Sequence, residues 1–294
     1  LAMRHAQGYG RNHASIYDRD MREVVTQNFL AAQGISDALA DDELVLYVQP
    51  IFSAAYLHPS GAEALLRWQH PGRGLLGPGE FMAAVDDANL ALPVGEWVID
   101  QVARLAGSWS KHHDLGEYRI AMNLTPSHLM SGNIVDTITA ALDLHDADPT
   151  HITVEITESE VLAADPDVLA TIDSLRDLGV LIAIDDFGSG AAGITYLRDL
   201  PVDVVKLHGG LVPPEPGERD RVLVSGIVRM CEDLGMTVLL EGVETMAQLA
   251  LARECGVSRV QGYLLSRPVV AVPGRHLPVP DPALPDSDPP SVEH

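Results

Sequence analysis

Short apolar runs alternate along the chain with longer segments whose apolar positions recur every three or four residues. The runs are Ala62–Leu66, Tyr118–Asn123, His151–Ile156, Val202–Leu207, Thr237–Glu241 and Arg259–Tyr263, together with the first half of Val180–Gly190. That last run, Val-Leu-Ile-Ala-Ile after Gly179, has no polar side chain until Asp185, the pattern of a parallel strand buried on both faces. Between the runs, Phe81–Ala88, Val94–Trp109, Ile134–Leu144, Val168–Leu178, Arg221–Leu234 and Met246–Cys255 carry helical periodicity. Strand and helix in strict alternation over roughly 220 residues predict an α/β fold, a TIM-like (β/α)8 barrel. A doubly wound open sheet shares the alternation but gathers its ligands at one switch point.

The polar residues decide between the two. Glu63, Asn123, Glu155, Asp185, Asp186, Lys206, Glu241 and Gln261 occupy or adjoin the ends of seven different runs. A barrel brings all such ends to one face, where catalytic groups sit. Asp185 and Asp186 are neighbours, and neighbours on a strand point to opposite faces, so they converge only where the strand ends. Two carboxylates there repel each other unless a cation lies between them. A helix cap or a solvated turn would also accommodate the pair.

Composition narrows the class. At 294 residues with a formal charge of −23, the chain has room for one barrel with short appendages. The acidity argues against DNA binding or an anionic membrane surface. No apolar stretch is long enough to span a bilayer, and no charged segment leading into an apolar one marks a secretory signal. Cys231 and Cys255, both in helical segments without metal-ligand spacing, read as buried free thiols of a reducing cytoplasm.

The ends are of a different character. Residues 1–25 end in a glycine-rich turn and one short apolar run, as if closing another domain, and 26–41 read as a linker helix. The barrel is expected over 42–272. Residues 273–294, with seven of the 20 prolines, are expected to be a disordered tail.

Gln49-Pro-Ile, Glu63-Ala-Leu with Arg67-Trp behind it, Asn123, Glu155-Ile-Thr-Glu158, Asp185-Asp186-Phe-Gly, Lys206, Glu241-Gly-Val-Glu244 and Gln261-Gly-Tyr follow one another in this order. Together they resemble the EAL family of cyclic di-GMP phosphodiesterases, from about Asp42 to Pro268. Residues 1–25 resemble the end of a GGDEF diguanylate cyclase domain. The resemblance implies a barrel with one antiparallel strand and a two-metal site that opens cyclic di-GMP to linear 5′-pGpG. It further implies that Glu63, Asn123, Glu155 and Asp185 hold one Mg²⁺ or Mn²⁺. Asp185 would bridge to a second ion shared with Asp186 and Glu241, and Ca²⁺ would inhibit. The chemistry is coherent without the family. Hard oxygen donors suit these ions, and a metal pair generates hydroxide and clamps both oxygens of an in-line displacement.

Beside these ligands, Glu63, Glu241 and Lys206 are the catalytic candidates. Lys206 would orient the water or help deprotonate it; its other reading is a buried salt bridge. Gln49, Arg67 and Gln261 are substrate candidates, Arg67 for a phosphate and Gln261 for a metal-bound water; a surface helix start accounts equally for Arg67. Glu244 supports the ligands, and Glu158 anchors the loop after the Asp pair, which in the family couples metal binding to dimerisation. Expected partners are cyclic di-GMP, a second copy of the chain, and upstream GGDEF and sensory domains of a cytoplasmic parent, free or membrane-tethered.

Two segments depart from the family. Ala191, Ala192 and Gly193 stand where it usually has an aromatic residue and two serines. His208-Gly209-Gly210 follow Lys206 where it has Asp-Arg-Ser after an intervening Ile. Since both segments border the site, a receptor that binds cyclic di-GMP without cutting it is the alternative to the hydrolase.

Overall fold

The computed structural model describes residues 34–111, 118–157, 166–188, 197–198 and 200–280. The chain divides into two compact units, residues 1–45 with 66–94, and residues 46–65 with 95–294.

The larger unit holds the barrel. Its strands are β1 (Leu44–Ser53), β2 (Pro59–His70), β4 (Arg119–Asn123), β5 (Ile152–Thr157), β6 (Leu181–Phe187), β7 (Val204–Leu207), β8 (Thr237–Leu240) and β9 (Arg259–Val260). From β2 through β9 each neighbour is parallel, β1 lies antiparallel against β9, and pairing of β1 with β2 closes the ring. The barrel and its one reversed strand match the sequence expectation. A short β10 (Val269–Val270) adds to the outer edge of β1.

The strands are apolar because helices cover them. β7 is buried at every position and β5 at all but the last. Around them, α2 (Ala91–Ser110) buries Ile99, Val102, Ala106 and Trp109, and α3 (Ile134–His145) buries Ile134, Ile138 and Leu142. α4 (Pro166–Leu178), α5 (Glu218–Asp233) and α6 (Met246–Glu254) each present a comparable stripe at three- and four-residue spacing. Thr245 caps α6 reciprocally with Gln248: its hydroxyl accepts from Gln248 N (3.2 Å), and Gln248 Oε1 accepts from Thr245 N (3.0 Å). Both cysteines are free and buried, and burial pushes the Cys231 thiol up to about 11.

The smaller unit is built around Trp68. Its indole Nε1 donates to Glu43 Oε2 at 2.9 Å, and Phe81 packs edge-on at 5.8 Å. The far end of β2 pairs antiparallel with β3 (Gly74–Leu76), and α1 (Met82–Asp87) contributes buried Ala84 and Val85. The helical segment at 34–40 buries Ile35 and Ala38, the inner side of the expected linker helix.

Residues 273–280, placed by sequence in the tail, are described, and Leu277 among them is buried with the barrel core. Residues 1–33, the remainder of the tail, Glu158 and Ala191–Gly193 lie outside the described residues.

Candidate active site

Parallel strands deliver their carboxyl ends to one mouth of the barrel, and the polar residues of the sequence pattern meet there. Lys206, 1% exposed, lies at the centre. Its Nζ is 2.8 Å from Glu155 Oε1, 2.8 Å from Glu241 Oε1, 3.0 Å from Asp185 Oδ1 and 3.8 Å from Glu63 Oε2. Asn123 Nδ2 donates to Glu63 (3.2 Å) and Glu155 (3.1 Å), and Gln261 Nε2 donates to Glu63 (2.8 Å). Strand register explains the closeness. Asn123 stands opposite Glu155 across β4 and β5; β5 pairs in regular register with β6, and β7 with β8, while β6 and β7 are interrupted by one slip.

Four carboxylates around one ammonium leave excess negative charge in a buried place. Burial, only partly offset by Lys206, drives the Glu155 carboxyl well above the usual range, and the nearby acids add to it. Burial likewise raises Glu241 to about 7 against the pull of Lys206. For Lys206, burial alone would lower the pKa, but Glu155, Glu63, Glu241 and Asp185 outweigh it and hold it well above the ordinary value. The acids of the ring thus favour its charged form, which donates to them. The buried salt bridge and the place in the acid ring are one arrangement.

Asp185 and Asp186 converge by a local irregularity. Both lie within β6, whose register against β7 slips between Ile184 and Phe187, and Asp186 takes a left-handed backbone with φ +56°. A regular strand would point the two side chains apart. Here one ligand atom from each lies within 4.8 Å of the others and of one on Glu241. Gly188, two residues on, has φ +89°, and a Cβ there would lie 2.6 Å from Leu211 Cδ1. His208 Nδ1 sits 3.0 Å from Asp186 Oδ1, so the residue at the unusual sequence position touches a candidate ligand.

These donors fit a hard divalent cation. They are all oxygens, they carry uncompensated charge, and the buried Gln261 Oε1 has no hydrogen-bond partner, an acceptor suited to a metal-bound water. Above the ring opens a cavity of about 370 Å³ lined by Gln49, Glu63, Asp185, Glu241, Glu244 and Gln261, among others. Gln49 is oriented by donating to Ser266 O (3.2 Å). Glu244 lines the rim, where its backbone N–H is held by Gln248 Oε1.

Arg67 is not at a helix start, the plainer of its two sequence readings; it lies on β2 beyond Glu63, in the smaller unit, where Nη1 donates to Leu66 O. Tyr263 received no role from sequence, although it ends the Gln261-Gly-Tyr motif. It lines the cavity, is 52% exposed, and carries the Arg267 guanidinium 4.5 Å above its ring. An aromatic residue as the last member of a site motif was the available signal.

Residues 32–268 match the family described as EAL domain. The chain is 34% identical over 273 residues to the bifunctional diguanylate cyclase/cyclic di-GMP phosphodiesterase MucR of Pseudomonas aeruginosa, covering 92% of this chain and 39% of that protein. It is also 34% identical over 276 residues to the cyclic di-GMP phosphodiesterase NbdA of the same organism, covering 92% of this chain and 34% of NbdA. The chain thus spans under two fifths of the length of these curated relatives. Among solved structures it resembles the PaMucR phosphodiesterase in complex with c-di-GMP, with TM-score 0.76 and 34% identity, covering 82% of this chain and 98% of that one.

Proposed function

The chain belongs to the EAL domain family, and on that premise we propose that it is a metal-dependent phosphodiesterase hydrolysing cyclic di-GMP to linear 5′-pGpG. The observation that supports this most is the ring of Glu63, Asn123, Glu155, Asp185 and Glu241 closed around Lys206 beneath an open cavity.

We assign Glu63, Asn123, Glu155 and Asp185 to one Mg²⁺ or Mn²⁺, and Asp185, Asp186 and Glu241 to a second. When bound, such a pair supplies Lewis acidity and a hydroxide near neutral pH. The chain's own residues do the remainder. Lys206, fixed by three short ion pairs, donates a hydrogen bond that orients the attacking water and neutralises charge developing at phosphorus. Gln261 Oε1 accepts from that water, while its amide holds Glu63 in place. Gln49 binds substrate from the wall of the cavity, Glu244 supports the ligand ring, and Arg67 meets a phosphate. The new bond joins water oxygen to phosphorus, the P–O3′ bond breaks, and the proton passes to O3′. Ca²⁺, with longer bonds and looser geometry, binds without supporting turnover.

The wider assignments rest on the relatives and the sequence. Residues 1–25 close an upstream GGDEF domain, the parent is a cytoplasmic signalling protein, free or membrane-tethered, and the EAL domain works as a homodimer with Glu158 anchoring the loop after the Asp pair. No described helix is long and apolar enough to cross a membrane. The receptor reading retains one specific support, the hold of His208 on Asp186. Incubation with cyclic di-GMP and Mg²⁺, then chromatography of the products, separates the two. The phosphodiesterase converts the cyclic dinucleotide to pGpG and stops in EDTA; recovery of intact ligand at high metal and protein concentration would make the chain a receptor.

A further inference from the structure

The acids assigned to the second cation come from two elements, Asp185 and Asp186 from β6 and Glu241 from the position after β8. Between them runs the segment after β7, residues 208–214, which meets both sides. On the first side, His208 Nδ1 contacts Asp186 Oδ1, and His208 N–H donates to Phe187 O at 3.1 Å. On the second side, two glycines bring the backbones together. A Cβ on Gly209 would lie 3.0 Å from Glu241 O and 3.1 Å from Gly242 Cα, and Gly242 is left-handed with φ +62°. Gly209 is also one of the residues that depart from the family pattern.

Touching backbones do not by themselves hold two loops in place, because glycine leaves each free to turn. Gln248 supplies the tie. It is the third residue of α6, it is buried, and its two amide atoms face different loops. Oε1 accepts from Glu244 N (2.9 Å) and Thr245 N (3.0 Å), in the loop that begins at Glu241. Nε2 donates to Val212 O at 2.8 Å, in the segment after β7. Chemistry fixes this orientation: turned over, the amide would set its NH2 against two backbone donors and its oxygen against a carbonyl. The Thr245 hydroxyl adds a second link by donating to Pro214 O at 2.9 Å. Capping a helix requires only the acceptor, which glutamate provides as well as glutamine does. The donor is what joins the loops.

We propose that Gln248 is a positioning residue for the second cation. By tying the segment after β7 to the loop that carries Glu241, it sets how Asp186 and Glu241 stand toward that ion, while touching neither ion nor substrate itself. The proposal rests on the assignment of two cations to the acid ring.

A calorimetric Mn²⁺ titration without substrate, on wild type and Gln248→Glu in mildly alkaline buffer, tests it. The carboxylate keeps both backbone bonds of the cap, stays ionised under those two donors, and has no proton to give Val212 O. Wild type binds two ions. Gln248→Glu should hold the first as wild type does, since Glu63, Asn123, Glu155 and Asp185 are untouched, and bind the second about tenfold more weakly. Hydrogen exchange should quicken at Leu211 and Val212, whose amides close the turn after His208, and stay unchanged along α6. A second-ion affinity within about twofold of wild type, an equal weakening of both ions, or unchanged exchange at Leu211 and Val212 would each overturn the proposal. If Gln248→Glu does not fold, Gln248→Ala decides: weakening confined to the second ion supports the tie, and any other result overturns it. A wild type that binds fewer than two ions contradicts the two-cation assignment instead, and the proposal falls with it.

Discussion

One barrel has two mouths, and their chemistry is opposite. At the carboxyl ends of the strands, Glu63, Glu155, Asp185 and Glu241 crowd around Lys206 under an open cavity. At the amino ends, Arg119 and Arg259 line a narrow cavity together with the apolar Ile51, Ala183, Val204 and Leu239, and Glu155 and Lys206 of the acid ring line it too. The acid mouth keeps its charges by pairing them with an internal ammonium and with amide donors. Among the described residues neither arginine forms an ion pair of its own; Arg119 Nε donates to Thr150 O. The difference shows how a parallel barrel sorts functions. A strand's first and last inward positions lie only a few residues apart, yet they reach opposite ends of the bore, and the catalytic groups of such barrels sit at the carboxyl end. The acid mouth carries a surplus of negative charge, which the proposed metal pair would neutralise.

The most severe way to break the contrast is to remove an acid shared by both proposed ions. Asp185→Asn keeps the side-chain shape and removes the bridging charge, and turnover of cyclic di-GMP should fall by roughly a thousandfold or more. Hydrolysis within tenfold of wild type would disconnect the ring from the chemistry. Lys206→Met asks whether the ammonium balances the ring. Lys206 and Glu155 are each 1% exposed, so removing the cation strands buried carboxylates and should cost about 3–5 kcal/mol of unfolding free energy in EDTA. Mg²⁺ should restore part of that stability by supplying the missing charge. A denaturation midpoint unchanged from wild type would show that the acids are balanced elsewhere.

A smaller effect is expected at the rim. His208 and Asp186 are both about half exposed, so their contact contributes little to stability, within about 0.5 kcal/mol. His208→Ala frees an oxygen of Asp186 and should tighten apparent Mg²⁺ affinity about two- to fivefold, a change of under 1 kcal/mol. An affinity equal to or weaker than wild type in a Mg²⁺ titration of activity would remove His208 from the site. The least change is expected far from either mouth. Cys231 is buried with its thiol raised to about 11, and Cys255 is buried too, so native protein should resist iodoacetamide and label only when unfolded. Rapid labelling of folded protein, read by mass spectrometry, would mean that α5 and α6 open readily.

Much of the acid mouth was legible in the sequence because strand-end position, apolar patterning and residue type all spoke at once. Glu63, Asn123, Glu155, Asp185, Lys206, Glu241 and Gln261 each close or adjoin an apolar run, and in space they lie within one network of hydrogen bonds and ion pairs. The means by which Asp185 and Asp186 converge was not legible. A slipped register and a left-handed aspartate depend on how β6 meets β7, and propensity says nothing about either. Arg67 misled for a related reason: β2 runs on to His70 to pair with β3, where the apolar pattern had ended the strand at Leu66. Leu277 was lost among prolines, since composition reports what a segment cannot fold by itself and not what a neighbouring barrel can bury. The arginine mouth gave no signal at all. Arg119 and Arg259 are 140 positions apart, and each reads singly as the polar start of a strand.

The account rests on the acid mouth being a site for two cations, and a Mn²⁺ titration followed by calorimetry and electron paramagnetic resonance tests that most directly. Wild type should bind two ions per chain, close enough to couple magnetically, and Asp185→Asn should bind no more than one, without coupling. A single uncoupled ion in the wild type, or the same stoichiometry in both proteins, would contradict it.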